Sequence, residues 1–136
     1  MKKRFIDSNI FVYVLSADPR FSQKALIILE DAEKGLYDAY TSTLVVSQVL
    51  AHLERRRRKK ALTLFLKYLE ESPIVVIETT FTDYLEAKRI ANTYNLDFTK
   101  LWDDLVITAQ MKRINVNEIY SNDKDFDEIP GVKRIF

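Results

Sequence analysis

The 136-residue sequence contains no cysteine, which excludes disulfides, thiolate nucleophiles and cysteine-based zinc sites in one step. It has only two glycines, Gly35 and Gly131, so neither a Walker phosphate loop nor a dinucleotide fingerprint can be built. No Gly-x-Ser-x-Gly elbow presents a serine nucleophile, and His52 is the only histidine. No apolar run approaches the roughly 20 residues that span a bilayer. After the basic start MKKR, Asp7 and Asn9 interrupt the apolar segment a signal peptide would need. The expected location is therefore the cytoplasm, away from any membrane. What is left for demanding chemistry is the carboxylate, and with it a hard divalent cation.

Hydrophobic residues make up 47% of the chain, enough for a buried core, and the length suits a single domain over residues 1–136. The net charge of +1 hides a polarised distribution. RRRRKK at 55–60 holds six of the 21 cations, leaving 15 cations against 20 acids elsewhere, a balance of −5.

Residues 3–6 read as a short strand cut off at Asp7 by Asp-Ser-Asn turn chemistry. NIFVYVLS follows as a first helix, then a helix from Pro19 to a stop at Gly35. AYTS is a brief strand, followed by the helices STLVVSQVLAHLERRRR and KALTLFLKYLEES. IVVIET is the clearest strand, continuous and β-branched as expected with both faces buried. TFTDYLEAKRIANTYNL and KLWDDLVITAQMKRI are helical, NEIYS is a strand and VKRIF a final one. Alternating strands and helices imply an α/β fold with a central parallel sheet covered on both faces. Ligands in such sheets collect beyond the C-terminal strand ends, where the strand order reverses.

Three acids fall at such positions: Asp7 after the first strand, Asp123 just beyond NEIY, and Asp104 in the opening turn of WDDLVITAQM. Each has an ordinary alternative as a turn former or helix cap, and Asp103 and Asp104 also suit a helix N-terminus through its dipole. At about 100° per residue, Leu101, Trp102, Leu105, Val106 and Ala109 share one apolar stripe. Asp104 lies at its edge and Asp103 nearly opposite, which favours Asp104. The stretch YSNDKDFDEIPGV crowds Asp123, Asp125, Asp127 and Glu128 together, but it is no calcium loop. Counted from Asp123, Glu128 stands at position 6 where glycine is needed and Arg134 at position 12 where glutamate is needed.

FIDSNIFVY, TSTLVVSQVL, WDDLVITAQ and YSNDKDF occur in an order and spacing that resembles PIN-domain ribonucleases, in particular the small VapC-type toxins of toxin–antitoxin pairs. The resemblance covers essentially the whole chain. It implies a three-layer α/β/α fold and Mg²⁺- or Mn²⁺-dependent cleavage of RNA. Residue by residue, it implies that Asp7, Asp104 and Asp123 are the metal-binding catalytic acids. Ser8 and Asn9 shape the first motif, Ser121 and Asn122 lead into the last, and Asp125 is a helper. Asp127 and Glu128 have no such role and read as solvated loop. The resemblance further implies a homodimer and a groove for a VapB-like antitoxin, although core packing equally explains Phe11, Tyr13, Leu26 and Leu29. Where a glutamate is expected, this chain has Gln48. A neutral amide supplies no charge to a cation, though its oxygen can orient water. His52 shares that helix face, and a lone histidine more often packs or caps than ligates. Two readings therefore stand: a ribonuclease, and a PIN-fold RNA- or partner-binding protein with weak catalysis. For Arg55, Arg56, Arg57, Arg58, Lys59 and Lys60 the alternatives are a solvated helix end and an RNA phosphate patch.

Overall fold

The first apolar run becomes strand β1, Lys3–Ile6, in a computed structural model that describes residues 1–136. Helices α1 (Ser8–Leu15) and α2 (Ser22–Glu33) lead to β2 (Asp38–Ser42). Helices α3 (Thr43–Arg55) and α4 (Lys59–Glu71) lead to β3 (Val75–Ile77). Helices α5 (Phe81–Tyr94) and α6 (Phe98–Arg113) precede β4 (Glu118–Tyr120), and a 3₁₀ turn at Lys124–Glu128 precedes β5 (Lys133–Ile135). The sheet is parallel throughout, in the order β3-β2-β1-β4-β5.

That order fixes where the helices go. The chain steps one way from β1 to β2 to β3, then returns across the sheet to β4. Right-handed crossovers then place α1–α4 on one face and α5 and α6 on the other. The packing agrees: α1 touches α2, α3 and α4, while α5 lies along α6. The result is the expected α/β/α sandwich. Phe5, Ile6 and Ile119 on the central strands are fully buried, each stabilising the fold by about 2–3 kcal/mol relative to exposure. The strand order reverses between β1 and β4, so the loops carrying Asp7 and Ser121–Asp123 meet at the switch point.

Two expectations need correction. IVVIET is not a doubly buried strand. Only Val75–Ile77 pairs, at the sheet edge, and Val75 is 49% exposed. A continuous apolar run does not distinguish an edge from a centre, because strand order is set by the other elements. Helix α6 begins at Phe98, capped by Asp97, whose side chain accepts from the Thr99 and Lys100 amides. Asp104 is thus the seventh residue of the helix and not in its opening turn, so neither capping nor the dipole accounts for it. Trp102, counted in the apolar stripe, is exposed, whereas Leu101 and every residue from Asp104 to Met111 are buried.

Away from the switch point, Asp83 anchors α5 to α6. It completes a capping box with Thr80 and receives Arg113 Nε and a guanidinium NH₂ at 3.0 and 2.9 Å. Burial opposes its ionisation, but the Arg113 hydrogen bonds and the Thr80 amide prevail and hold its pKa below the usual value. The pair should stabilise the fold fully above the unfolded carboxyl pKa near 4 and lose that contribution as pH falls through the lower folded value. Asp83→Asn is expected to cost about 2–3 kcal/mol at pH 7 and less at pH 3, where the unfolded carboxyl is largely protonated. Urea melts at the two pH values check this; an equal cost at both would sink the charge-based account.

Candidate functional site

Asp7 closes β1 and caps α1. Its Oδ1 accepts from the Ser8 amide at 2.8 Å, and its Oδ2 accepts from Ser121 Oγ at 2.6 Å and Asn9 Nδ2 at 3.2 Å. Ser121, fully buried after β4, also accepts from Asn9 Nδ2 and from the Asp123 amide at 3.0 Å. One hydroxyl thus donates once and accepts twice, tying the first acidic loop to the last. Asn122 joins the same knot, its amide donating to Asn9 Oδ1 and its side chain to Tyr13 Oη. Ser8, Asn9, Ser121 and Asn122 all take part in this hydrogen-bond network. Three donors occupy Asp7, leaving one lone pair on Oδ1.

From the opposite face α6 brings Asp104, 5% exposed, against the β4 loop. One carboxylate oxygen each from Asp104, Asp123 and Asp125 lie within 4.8 Å of one another. Asp7 lies outside that tight group but is near enough to be felt by Asp104 and itself to feel Asp123. Burial, then repulsion from Asp123, Asp103 and Asp7, pushes the Asp104 pKa up to about 9. Burial also pushes Asp7 up to about 6, against the opposing Ser121 hydrogen bond. Lys100 sits 4.0 Å from Asp125 but pairs more closely with Glu128 at 3.2 Å, and Arg134, paired with Asp127, is near enough to feel Asp123. An acidic cluster built from hard oxygen donors, its nearby cations engaged by Glu128 and Asp127, fits a divalent cation of the Mg²⁺ or Mn²⁺ type.

Asp103, placed by periodicity away from the buried stripe, also reaches the site. Its Oδ2 accepts from Gln48 Nε2 at 3.1 Å, bridging α6 to α3 over the sheet edge. Gln48 Oε1 is buried and has no partner. No local pattern reveals this bridge, because its ends are 55 residues apart. Beside it opens a cleft of about 530 Å³ whose lining includes Tyr13, Gln48, His52, Arg55, Trp102 and Asp103. His52 is 2.8 Å from Arg56 Nη1 through its Nε2, and burial followed by the nearby arginines lowers its pKa. A neutral, engaged imidazole matches the packing role.

The basic run is not one surface. Helix α3 ends at Arg55, Arg57 turns the chain at φ +55°, and α4 begins at Lys59. Arg55 faces the cleft, whereas Arg57, Arg58, Lys59 and Lys60 line a separate depression with Leu15 and Leu64. Asp127 and Glu128 are exposed, as expected of loop acids, though each holds a cation: Arg134 and Lys100 respectively. Phe11 and Leu29 belong to the core, and Leu26 is 43% exposed.

The chain is thus a parallel α/β/α sandwich with carboxylates clustered at its switch point. The PIN-domain family profile matches residues 4–132, and the chain belongs to that family. Its fold is similar to that of VapC20 from Mycobacterium tuberculosis, described as a sarcin-ricin loop cleaving toxin. That match has TM-score 0.74 at 16% identity, over 91% of this chain and 92% of that one. Also similar is VapBC from Salmonella typhimurium in a DNA-bound structure, with TM-score 0.68 at 12% identity over 99% and 98% of the two chains. VapBC2 from Rickettsia felis, bound to a promoter DNA fragment, gives TM-score 0.66 at 16% identity over 98% and 97%. Sequence comparison with curated proteins gives no match. No helix is long and apolar enough to cross a membrane.

Proposed function

We propose that the protein is a metal-dependent endoribonuclease acting in the cytoplasm as one compact domain, the VapC-type toxin of a toxin–antitoxin pair. The observation that carries this is the carboxylate group Asp104, Asp123 and Asp125 beside Asp7 at the switch point. Family membership and the likeness to VapC proteins support it. Asp104 and Asp123 would hold the cation with Asp125, and the free lone pair of Asp7 Oδ1 completes the set. Such a cation, when bound, supplies acidified water and a counter-charge for a phosphate oxygen. Ser121 fixes the direction of Asp7, and Gln48 Oε1 offers an acceptor to the attacking water. Arg55 approaches substrate phosphates from the cleft, with Arg56, Arg57, Arg58, Lys59 and Lys60 adding diffuse attraction.

An apolar depression of about 370 Å³ between α1, α2 and α4, lined by Leu26, Leu64 and Tyr68 among others, suits a VapB-like antitoxin helix. A homodimer accords with the same reading. The second reading, RNA or partner binding with weak catalysis, is favoured by Gln48, whose amide is bonded to Asp103 where an acid was expected.

Incubation of a mixed RNA pool with Mn²⁺, Mg²⁺ or chelator separates the readings. Cleavage is expected with either ion and none with chelator. Independently of activity, cation at about 100 times its Kd should stabilise the fold by about 2.7 kcal/mol. A melting temperature unmoved by either ion would remove the metal site from the account.

A further inference from the structure

Trp102 is the only tryptophan in the chain. It stands on α6 immediately before Asp103 and Asp104, 43% exposed, although Leu101 before it and every residue from Asp104 to Met111 after it are buried. It belongs neither to the 30-residue core nor to the apolar side chains packed against that core. Its indole N–H donates no hydrogen bond, and its ring takes part in none of the aromatic pairs or cation–π contacts that engage Phe11, Tyr13, Phe21, Tyr37 and Tyr120. Tryptophan offers the largest stacking surface of any side chain, and leaving it wet and unpartnered contributes little to stability.

What surrounds it has the makings of a nucleotide site. The indole lines the same cleft as Arg55, which forms no ion pair, and Gln48, whose buried Oε1 has no partner. The cleft volume of about 530 Å³ lies within the roughly 300–1,000 Å³ typical of small-ligand sites. Asp103, on its wall, is adjacent in sequence to the metal-group residue Asp104. An aromatic face and a free guanidinium are two elements that hold an unstacked base and its phosphate.

We infer that Trp102 is a substrate-positioning residue: it stacks on the base of an unpaired RNA nucleotide flanking the cleaved bond, with Arg55 on that nucleotide's phosphate. This rests on the ribonuclease reading for the word substrate, but not for the stacking itself. It makes the preferred target a single-stranded or looped segment, since a base held in a duplex cannot reach the indole.

The indole is its own reporter. In Ca²⁺, chosen to slow turnover, a short single-stranded RNA is expected to quench and shift the fluorescence of the intact protein, and a fully paired duplex of the same sequence to do so far less. In steady-state cleavage, Trp102→Leu is expected to raise KM about tenfold with kcat changed less than about twofold, and Trp102→Phe to recover most of the loss. Unchanged fluorescence at saturating RNA, or a Trp102→Leu variant with wild-type KM, would overturn the inference while leaving the acids' role intact. A wild-type chain that cleaves no RNA yet is quenched by it would sink the ribonuclease reading and uphold the stacking site.

Discussion

Replacing Asp104 with asparagine is expected to abolish metal-dependent RNA cleavage and, in the same molecule, to raise the stability of the metal-free protein. The two effects have one cause. Asp104 is 5% exposed and faces Asp123, Asp103 and Asp7, with its pKa pushed up to about 9. The unfolded carboxyl titrates near 4, so between about pH 4 and 9 the folded state holds a proton that the unfolded state has released. Stability therefore falls as pH rises through that window. At pH 7 the full linkage would amount to about 4 kcal/mol; water entering the cleft and proton sharing with Asp123 reduce this, and the Asp104→Asn variant is expected to recover about 2 kcal/mol. That corresponds to about 6–8 °C in melting temperature for a chain of this size. The gain should shrink toward pH 4, where wild type is already protonated. Cleavage should drop by at least about a hundredfold, the equivalent of about 3 kcal/mol of transition-state stabilisation. Melts in chelator at pH 4.5 and 7, beside a cleavage assay in Mn²⁺, check both. A variant no more stable than wild type at pH 7, or one that still cleaves, would dissociate Asp104 from the cation.

The site was readable in sequence to the extent that it depends on chain direction. Asp7 and Asp123 each follow an apolar run at a turn, and in a parallel sheet all such turns fall on one edge, so their meeting needed only the fold class. Asp104 was readable from the edge of a helical stripe, although for a partly mistaken reason, since the helix starts at Phe98, two residues before the expected Lys100. Asp103 and Trp102 were not readable. Periodicity sorts residues into a buried and a solvent side, but α6 near the sheet edge also faces a cleft whose far wall is α3. That third environment exists only once the Gln48–Asp103 bridge closes over the sheet. The basic run was legible as charge but not as shape: six consecutive cations read as one run, and a left-handed residue at Arg57 sends them in two directions. Hydropathy gave IVVIET its strand but not its edge position, because pairing partners are chosen globally.

Gln48→Glu is the second large effect, and the bridge to Asp103 shapes it. In wild type the amide donates to Asp103 Oδ2 at 3.1 Å while its oxygen remains buried and unpartnered. Glutamate can make no such donation, and it brings a negative charge against Asp103, already raised by burial and by Asp123 and Asp125. Without a cation the variant should therefore be less stable than wild type by about 1–3 kcal/mol at pH 7, the cost of a lost partner and a like-charge contact. With a cation the sign reverses, since one more carboxylate faces the positive charge. Cation-induced stabilisation should grow by more than the apo loss, and Mn²⁺-dependent cleavage should rise about tenfold or more. That combination would show that the native amide trades metal affinity for a metal-free fold that holds together. If cleavage instead falls while Mn²⁺ binding tightens, the amide itself is the functional group, orienting water or substrate through Oε1. If neither stability nor cleavage responds, position 48 lies outside the metal's reach, and the acids of α6 and the β4 loop act without α3.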